Sequence, residues 1–203
     1  MVIVVLNARV RVGWDRFMRP IGRAVASSGI SPDAITLGSV VLAGIAAYYI
    51  VEGRLLIAGI ISTAAGAADL FDGAVAKAKG VTSKFGAVLD STTDRLTDAL
   101  VFLPIVWLYA VTPDLPSHDE PWVAVTAMVA LVASFMVSYV KARAESLGFD
   151  CNVGIAERAE RLILINLALI FDFVPVAMVL LAAAAIVTFF QRILYVRKQA
   201  RAT

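Results

Sequence analysis

Four aspartates are the residues whose types and spacing could support chemistry. Asp69 and Asp72 are three residues apart and Asp90 and Asp94 are four apart, so each pair would lie on one face of a helix. Hard divalent cations such as Mg²⁺ prefer carboxylate oxygens, and two such ions about 3.5–4 Å apart can clamp a phosphate. A remaining carboxylate could accept the proton of an attacking hydroxyl group. The pattern therefore predicts metal-dependent transfer at a pyrophosphate.

The aspartates are predicted to lie near the ends of two consecutive apolar segments, 55–76 and 86–111. A short loop joins these segments, so they should be antiparallel neighbours whose acidic faces meet. A charged side chain at the centre of a membrane helix costs roughly 2.5–3.5 kcal/mol on insertion scales, and less near the interface. Helix stability does not explain that cost, whereas a bound cation does. The alternative is that the acids only pair with Lys77, Lys84 and Arg95.

The apolar content of the chain indicates a membrane bundle that would hold these segments. Of its 203 residues 60% are hydrophobic, against about 45–50% in soluble domains, and a span needs about 20 residues. The predicted spans are residues 34–51, 55–76, 86–111, 121–142, 160–173 and 175–196. Arginines and apolar residues mix in segment 8–28, which predicts an amphipathic helix on the membrane surface; an ordinary cytosolic amphipathic helix is the alternative. We therefore expect an all-α integral membrane protein, a single membrane domain over 1–203 with its bundle at 34–196.

The positive charges predict how this bundle is oriented. Of the 18 Lys and Arg, only Arg54 falls on the side that also holds Glu52 and the acidic loop 112–121. Positively charged loops stay cytoplasmic, so both termini are predicted to be cytoplasmic, which six spans allow. The same assignment puts the aspartates at the cytoplasmic face of the cell membrane.

The aspartates and their neighbours closely resemble the signature of the CDP-alcohol phosphotransferase family. That signature reads Asp-x-x-Asp-Gly-x-x-Ala-Arg, a gap, and then Gly-x-x-x-Asp-x-x-x-Asp. Here it falls on Asp69, Asp72, Gly73, Ala76, Lys77, Gly86, Asp90 and Asp94. Lys77 stands where the family usually has arginine, which keeps the positive charge but loses the bidentate phosphate contact.

The resemblance implies a fold, cofactors and residue roles. It implies six transmembrane helices with a surface helix, commonly as a homodimer, and a site for two Mg²⁺ ions, with Mn²⁺ as an alternative. Asp69, Asp72 and Asp90 would hold the metals, and Asp94 would complete the metal site and act as general base. The family's contacts to the CDP-lipid carry over onto Asp33, Ala34, Ile35, Thr36, Gly73, Lys77 and Ser83. For residues 33–36, an ordinary capped helix start is the alternative.

A second basic set lies at the predicted cytoplasmic ends of the last three spans. Lys141, Arg161 and Arg192 could converge beside the metal site, where three cations would favour an acceptor that carries a phosphate. The alternative is ordinary anchoring by positive residues on the cytoplasmic side.

The segments around this basic set are similar to those of phosphatidylinositol phosphate synthases in the same family. They read Lys-Ala-Arg-Ala-Glu from Lys141 and Glu-Arg-x-Glu-Arg from Glu157. The similarity implies transfer of a phosphatidyl group from CDP-diacylglycerol to inositol 1-phosphate, with release of CMP. Glycerol 3-phosphate is the main rival acceptor, since it also carries a phosphate.

Composition bears on other classes of function. The single cysteine, Cys151, excludes an intramolecular disulfide, and the single histidine, His118, excludes a multi-histidine zinc site. The net charge of +2 is small, and no nucleic-acid partner is expected. A cation-binding transporter is the alternative outside the enzyme class, because acids within a membrane can bind a moving cation. The acids lie near one interface only, which argues against a path through the membrane.

Overall fold

The computed structural model describes residues 31–79, 83–111, 120–155 and 157–201, with side chains throughout except at residue 32 and residues 70–79. All regular secondary structure in these ranges is helical. The six helices are α1 (Pro32–Val51), α2 (Leu55–Lys79), α3 (Lys84–Val111), α4 (Pro121–Ser146), α5 (Arg158–Phe171) and α6 (Val174–Ala200). The surface segment predicted at 8–28 and nearly all of the acidic loop lie outside the described residues.

Three stretches are long and apolar enough to cross a membrane: Asp33–Val51 within α1, and the whole of α4 and α6. Apolar residues are also exposed along the outside of the described bundle, for example Val41, Leu103, Val132 and Leu180. Such a surface suits lipid rather than water. The protein is therefore a membrane protein that is all-helical over the described residues, and each of the six described helices overlaps one of the six predicted spans.

Local signals explain where several helices begin and end. Ser31 caps α1, because its side chain accepts a hydrogen bond from the Ala34 amide at 3.2 Å, and Pro32 fills the first turn. Proline also stands in the first turns of α4 and α6. Asp172 adopts a left-handed conformation, with φ of 55°, and ends α5 immediately before α6 begins.

Small residues allow the helices to pack closely around one core. Ala58 of α2, Ala168 of α5 and Ala177 of α6 are fully buried in the main apolar cluster. Gly59 lies so close to α5 that an added Cβ would be 2.7 Å from Ile170 Cγ1 and 3.0 Å from the Ile170 amide nitrogen. Close approach at small residues is a common way for membrane helices to associate. This contact fixes α2 against α5.

Helix α5 has 14 residues, which at 1.5 Å per residue is about 21 Å, shorter than the roughly 30 Å hydrocarbon core. It packs against α2 and α6, while α3 packs against α1 and α4. The first turn of α5 lies beside the carboxylate-bearing parts of α2 and α3, as the ion pairs described below establish. The fold thus brings the aspartates and the basic start of α5 together at one end of the bundle.

Candidate active site

Three of the four predicted acids meet in the structure. Asp69 of α2 and Asp90 and Asp94 of α3 each offer a carboxylate oxygen, and these oxygens lie within 4.8 Å of one another. Asp72 lies one turn after Asp69 on α2, but the structure does not describe the side chains of Asp72 and Lys77, and Gly73 lies in the same stretch. The structure therefore brings carboxylates of α2 and α3 together, and the four-residue spacing of Asp90 and Asp94 lets both contribute from one helix.

The chemistry of this carboxylate cluster fits a divalent metal. Asp69 and Asp94 are largely buried, whereas Asp90 is exposed at the rim. The Oδ1 atom of Asp94 is buried and lies 3.0 Å from Arg158 Nη1. Three neighbouring carboxylates carry more negative charge than this one guanidinium neutralises, and such a cluster is costly unless a further cation compensates it. Three carboxylates at this separation are the donor set that Mg²⁺ or Mn²⁺ prefers.

Arg158, in the first turn of α5, belongs to the same site. Its Nη1 atom donates a hydrogen bond to Asp69 Oδ2 at 2.6 Å and lies 3.0 Å from Asp94 Oδ1. Its Nη2 atom donates to Thr97 Oγ1 at 3.1 Å. The guanidinium thus links α2 to α3 through the carboxylates. Sequence reasoning counted Arg158 only among the cytoplasmic charges and missed this role.

Asp98 is a second site residue that the sequence predictions did not include. It lies one turn beyond Asp94 and is 6% exposed. Its Oδ1 atom is 3.9 Å from Arg158 Nε, and its Oδ2 atom is 3.6 Å from Arg161 Nη2. A usable signal was present, because Asp90, Asp94 and Asp98 recur every four residues and so share one face of α3.

Of the residues predicted to contact the CDP-lipid, those with described side chains lie at the starts of α1 and α3, while Gly73 and Lys77 lie on α2. Asp33 and Ala34 are exposed in the first turn of α1, and Thr36 is buried. Ser83 caps α3, since its hydroxyl accepts a hydrogen bond from the Gly86 amide at 2.8 Å. A Cβ at Gly86 would lie 3.0 Å from that hydroxyl, so glycine at this signature position leaves room for the cap.

A small cavity joins α1 to the carboxylate cluster. Its volume is about 20 Å³, roughly that of one water. Ser39 of α1, Ser62 of α2 and Thr97 of α3 contribute hydroxyl groups to its wall, together with Asp69 and Arg158. The cavity therefore connects the middle of α1, at Ser39 and Ala43, with Asp69 of the carboxylate cluster.

Two of the three predicted acceptor residues are buried cations. Arg161 is 5% exposed and pairs with Asp98, and Arg192 of α6 is 4% exposed. Arg192 donates hydrogen bonds to the carbonyl oxygens of Val137 at 2.7 Å and Val153 at 2.9 Å. Backbone carbonyls orient a guanidinium without neutralising its charge, so Arg192 keeps a net positive charge in the interior.

Arg161 and Arg192 lie close enough for their charges to interact. Lys141 is more exposed, with its Nζ atom 3.9 Å from Glu145 Oε1, and it shares the surroundings of Cys151 with Arg192. The structure thus brings Arg161 and Arg192 together, with Lys141 toward the rim. Buried guanidinium groups are suited to binding a phosphate, because they keep their charge and present several donors in a fixed geometry.

Comparisons with known proteins place the fold in context. Residues 29–190 match the family model described as CDP-alcohol phosphatidyltransferase. The chain is 36% identical over 197 residues to the phosphatidylinositol phosphate synthase of Mycolicibacterium smegmatis, covering 92% of this chain and 86% of that protein. It is 37% identical over 193 residues to the archaetidylinositol phosphate synthase of Pyrococcus horikoshii, covering 95% of this chain and 97% of that one.

Solved structures agree with these relatives. The Mycobacterium tuberculosis phosphatidylinositol phosphate synthase with CDP-DAG bound superimposes with a TM-score of 0.79 and 32% identity, covering 89% of this chain and 94% of that one. The same enzyme in complex with manganese and citrate gives a TM-score of 0.75 and 33% identity, covering 89% of this chain and 88% of that one. This chain is therefore similar to that enzyme in both helical arrangement and sequence over most of its length.

Proposed function

Because the chain belongs to the CDP-alcohol phosphatidyltransferase family and is a membrane transferase, we propose that it transfers a phosphatidyl group from CDP-diacylglycerol to inositol 1-phosphate, giving phosphatidylinositol phosphate and CMP. The observation that carries this proposal is the cluster of Asp69, Asp90 and Asp94 with the buried Arg161 and Arg192 on the neighbouring helices. The donor is supported by the relative that binds CDP-DAG. The acceptor is supported by relatives named phosphatidylinositol phosphate synthase.

The cofactor in this proposal is a pair of Mg²⁺ ions, with Mn²⁺ as an alternative. Asp69, Asp72, Asp90 and Asp94 would hold them, and the manganese complex of the relative supports this assignment. When bound, the metals neutralise the pyrophosphate of the donor and stabilise the departing phosphate. All other contributions come from the protein, chiefly by positioning the two substrates and fixing charge around them.

Asp94 is the general base in the proposed mechanism. The acceptor hydroxyl oxygen forms a bond to the lipid-side phosphorus while the bond from that phosphorus to the bridging oxygen breaks. CMP leaves with the bridging oxygen, and the hydroxyl proton passes to Asp94. The carboxylate of Asp94 is the candidate proton acceptor. Arg158 keeps Asp69 and Asp94 in position.

The two substrates occupy different sides of the cluster in this proposal. The nucleotide and pyrophosphate of the donor lie against the starts of α1 and α3 and the end of α2; the residues concerned are Asp33, Ala34, Ile35, Thr36, Gly73, Lys77 and Ser83. The acceptor phosphate lies among Lys141, Arg161 and Arg192. Two observations support this arrangement: α1 lines a cavity together with Asp69, and Arg161 pairs with Asp98, one turn beyond Asp94.

We further propose that residues 1–203 form a single membrane domain with six crossings and both termini in the cytoplasm. The site then faces the cytoplasm, where the soluble acceptor and CMP are found. The concentration of lysine and arginine at the end of the bundle that carries the site supports this orientation. The active assembly is proposed to be a homodimer, as the family resemblance implies.

The decisive experiment is an acceptor panel with the purified protein, Mg²⁺ and CDP-diacylglycerol. Inositol 1-phosphate, inositol, glycerol 3-phosphate and serine are compared by CMP release and by mass spectrometry of the lipid product. Inositol 1-phosphate should give the highest kcat/KM. Faster transfer to glycerol 3-phosphate would replace the acceptor but keep the reaction. No CMP release with any acceptor would contradict the proposal.

A further inference from the structure

Asp98 is a buried carboxylate between the half-buried Arg158 and the buried Arg161, and it has no task in the mechanism described so far. Asp98 faces the first turn of α5, where Arg158 and Arg161 are three residues apart and so share one face of the helix. Each carboxylate oxygen approaches a different arginine: Oδ1 is 3.9 Å from Arg158 Nε, and Oδ2 is 3.6 Å from Arg161 Nη2.

The arginines differ in what else they contact. Arg158 is held on its far side by Asp69 and Asp94. Arg161 forms an ion pair with Asp98. Asp98 is therefore the element that joins Arg161 to the carboxylate cluster, and the charges alternate from Asp94 through Arg158 and Asp98 to Arg161.

The alternating charges strongly influence how the guanidinium groups of Arg158 and Arg161 are oriented. Two guanidinium groups three residues apart repel each other, and burial strengthens the repulsion because the local dielectric constant is low. The Asp98 carboxylate offsets this repulsion because it attracts both guanidinium groups. Removing one partner from a buried ionic network leaves an uncompensated charge, which then moves toward water or another partner. The direction in which Arg161 points thus depends on Asp98.

We propose that Asp98 is a positioning residue that sets where the acceptor phosphate binds relative to the general base. Asp98 fixes the position of Arg161 relative to Arg158, and Arg158 in turn contacts Asp94. An acceptor whose phosphate binds Arg161 then presents its hydroxyl group to the carboxylate cluster. This inference rests on the proposed function, because it takes Arg161 as a ligand of the acceptor phosphate.

The test is a double-mutant cycle between Asp98 and Arg161, read as separate KM values for the two substrates. In Asp98→Asn, the KM for inositol 1-phosphate should rise about 10- to 100-fold, while the KM for CDP-diacylglycerol changes less than about threefold. In an Arg161→Gln background, adding Asp98→Asn should change the acceptor KM less than about threefold, because the group through which Asp98 acts is already gone. A purely structural loss would lower the amount of active enzyme without separating the two KM values.

The matched control is Asp150→Asn, the same chemical change at an exposed position of the loop before α5. Its two KM values should equal those of the wild type. Asp98→Glu serves as the second variant if Asp98→Asn does not fold. It keeps the charge but lengthens the side chain, so it should retain the fold and still raise the acceptor KM selectively.

Each outcome decides between the inference and its premise. Wild-type protein that does not saturate with inositol 1-phosphate rejects the proposed function, and the inference falls with it. If the wild-type protein saturates with inositol 1-phosphate but the folded Asp98 variant has an unchanged acceptor KM, the inference alone is rejected. Equal increases in both KM values, or additive effects of Asp98→Asn and Arg161→Gln, reject it as well.

Discussion

At the scale of single residues, the site is a set of charges that require one another. Asp69 and Asp94 are largely buried acids, and Arg158 is the cation that contacts both. A buried acid or base without such a partner would be strongly destabilising. The aspartates are therefore stable at this position only because α5 supplies positive charge and because the carboxylates can bind metal.

Asp94→Asn should abolish transfer while leaving the fold intact. Asparagine has nearly the same shape, but it cannot accept the proton and is a poorer metal ligand, so kcat should fall by about 10²- to 10⁴-fold or more. CMP release measures the loss, and thermal unfolding in detergent checks the fold. Full activity in the folded variant would remove the general-base assignment.

Arg158→Gln should make the protein depend more strongly on added metal for its stability. Without the guanidinium, Asp69 and Asp94 lose the contacts at 2.6 and 3.0 Å, and their mutual repulsion is then relieved mainly by a bound cation. The rise in Tm on adding Mg²⁺ should exceed that of the wild type. The exposed Arg197 provides the matched control, since Arg197→Gln should leave the Mg²⁺-induced rise unchanged. An equal or smaller rise in Arg158→Gln would contradict the role given to Arg158.

Sequence patterns predicted the acids more completely than their partners. The spacing of Asp69, Asp90 and Asp94 depends on helix geometry, which the local sequence specifies, and the structure brings the three together. Arg158 and Asp98 meet across α5 and α3, 60 residues apart in the chain. That contact depends on how the two helices pack, for which a single sequence contains no direct signal.

At the scale of helices, close packing of α2 against α5 sets the position of the site. Gly59 makes this approach possible, and the same two helices carry Asp69 and Arg158 farther along. The six predicted spans match the six helices, but α2, α4 and α6 extend beyond their apolar segments. Hydropathy identifies only the apolar part of each helix and does not show how far the polar turns at its end continue it.

Gly59→Ala should destabilise the protein, although alanine is ordinarily the better helix former. The added Cβ would be 2.7 Å from Ile170 Cγ1 and 3.0 Å from the Ile170 amide nitrogen, so α2 and α5 must separate, at a cost of about 1–3 kcal/mol. Thermal unfolding in detergent measures the effect, and kcat should fall as Asp69 moves from Arg158.

The matched control for this prediction is Gly44→Ala on α1. An added Cβ there meets nothing within 4 Å, so stability should be unchanged or slightly increased by the better helix propensity. Similar losses in both variants would mean that helix packing at Gly59 is not the cause.

At the scale of the whole molecule, the charges and the site share one end of the bundle. Thiol labelling in intact cells can test which side of the membrane that end faces. The native thiol should not interfere, because Cys151 is buried and burial raises its pKa, which lowers the reactive thiolate fraction. The exposed Arg54 and Arg201 lie at opposite ends of the bundle and are suitable positions for new cysteines.

An impermeant maleimide should label Arg54→Cys in intact cells and Arg201→Cys only after the membrane is opened. The wild-type protein should remain unlabelled in both conditions, which makes it the internal control. Labelling of Arg201→Cys in intact cells would reverse the proposed orientation.

The shortness of α5 has a consequence for substrate traffic. A helix of 14 residues is shorter than the hydrocarbon core is thick. Its charged first turn contacts Asp69 and Asp94, well inside α2 and α3, and so lies recessed below the ends of these longer helices. In the proposed reaction, the lipid donor can enter the site laterally from the leaflet, while inositol 1-phosphate reaches the same depth from the aqueous side. The finished lipid then diffuses away in the plane and the nucleotide escapes to water, so neither product has to cross the path of the other.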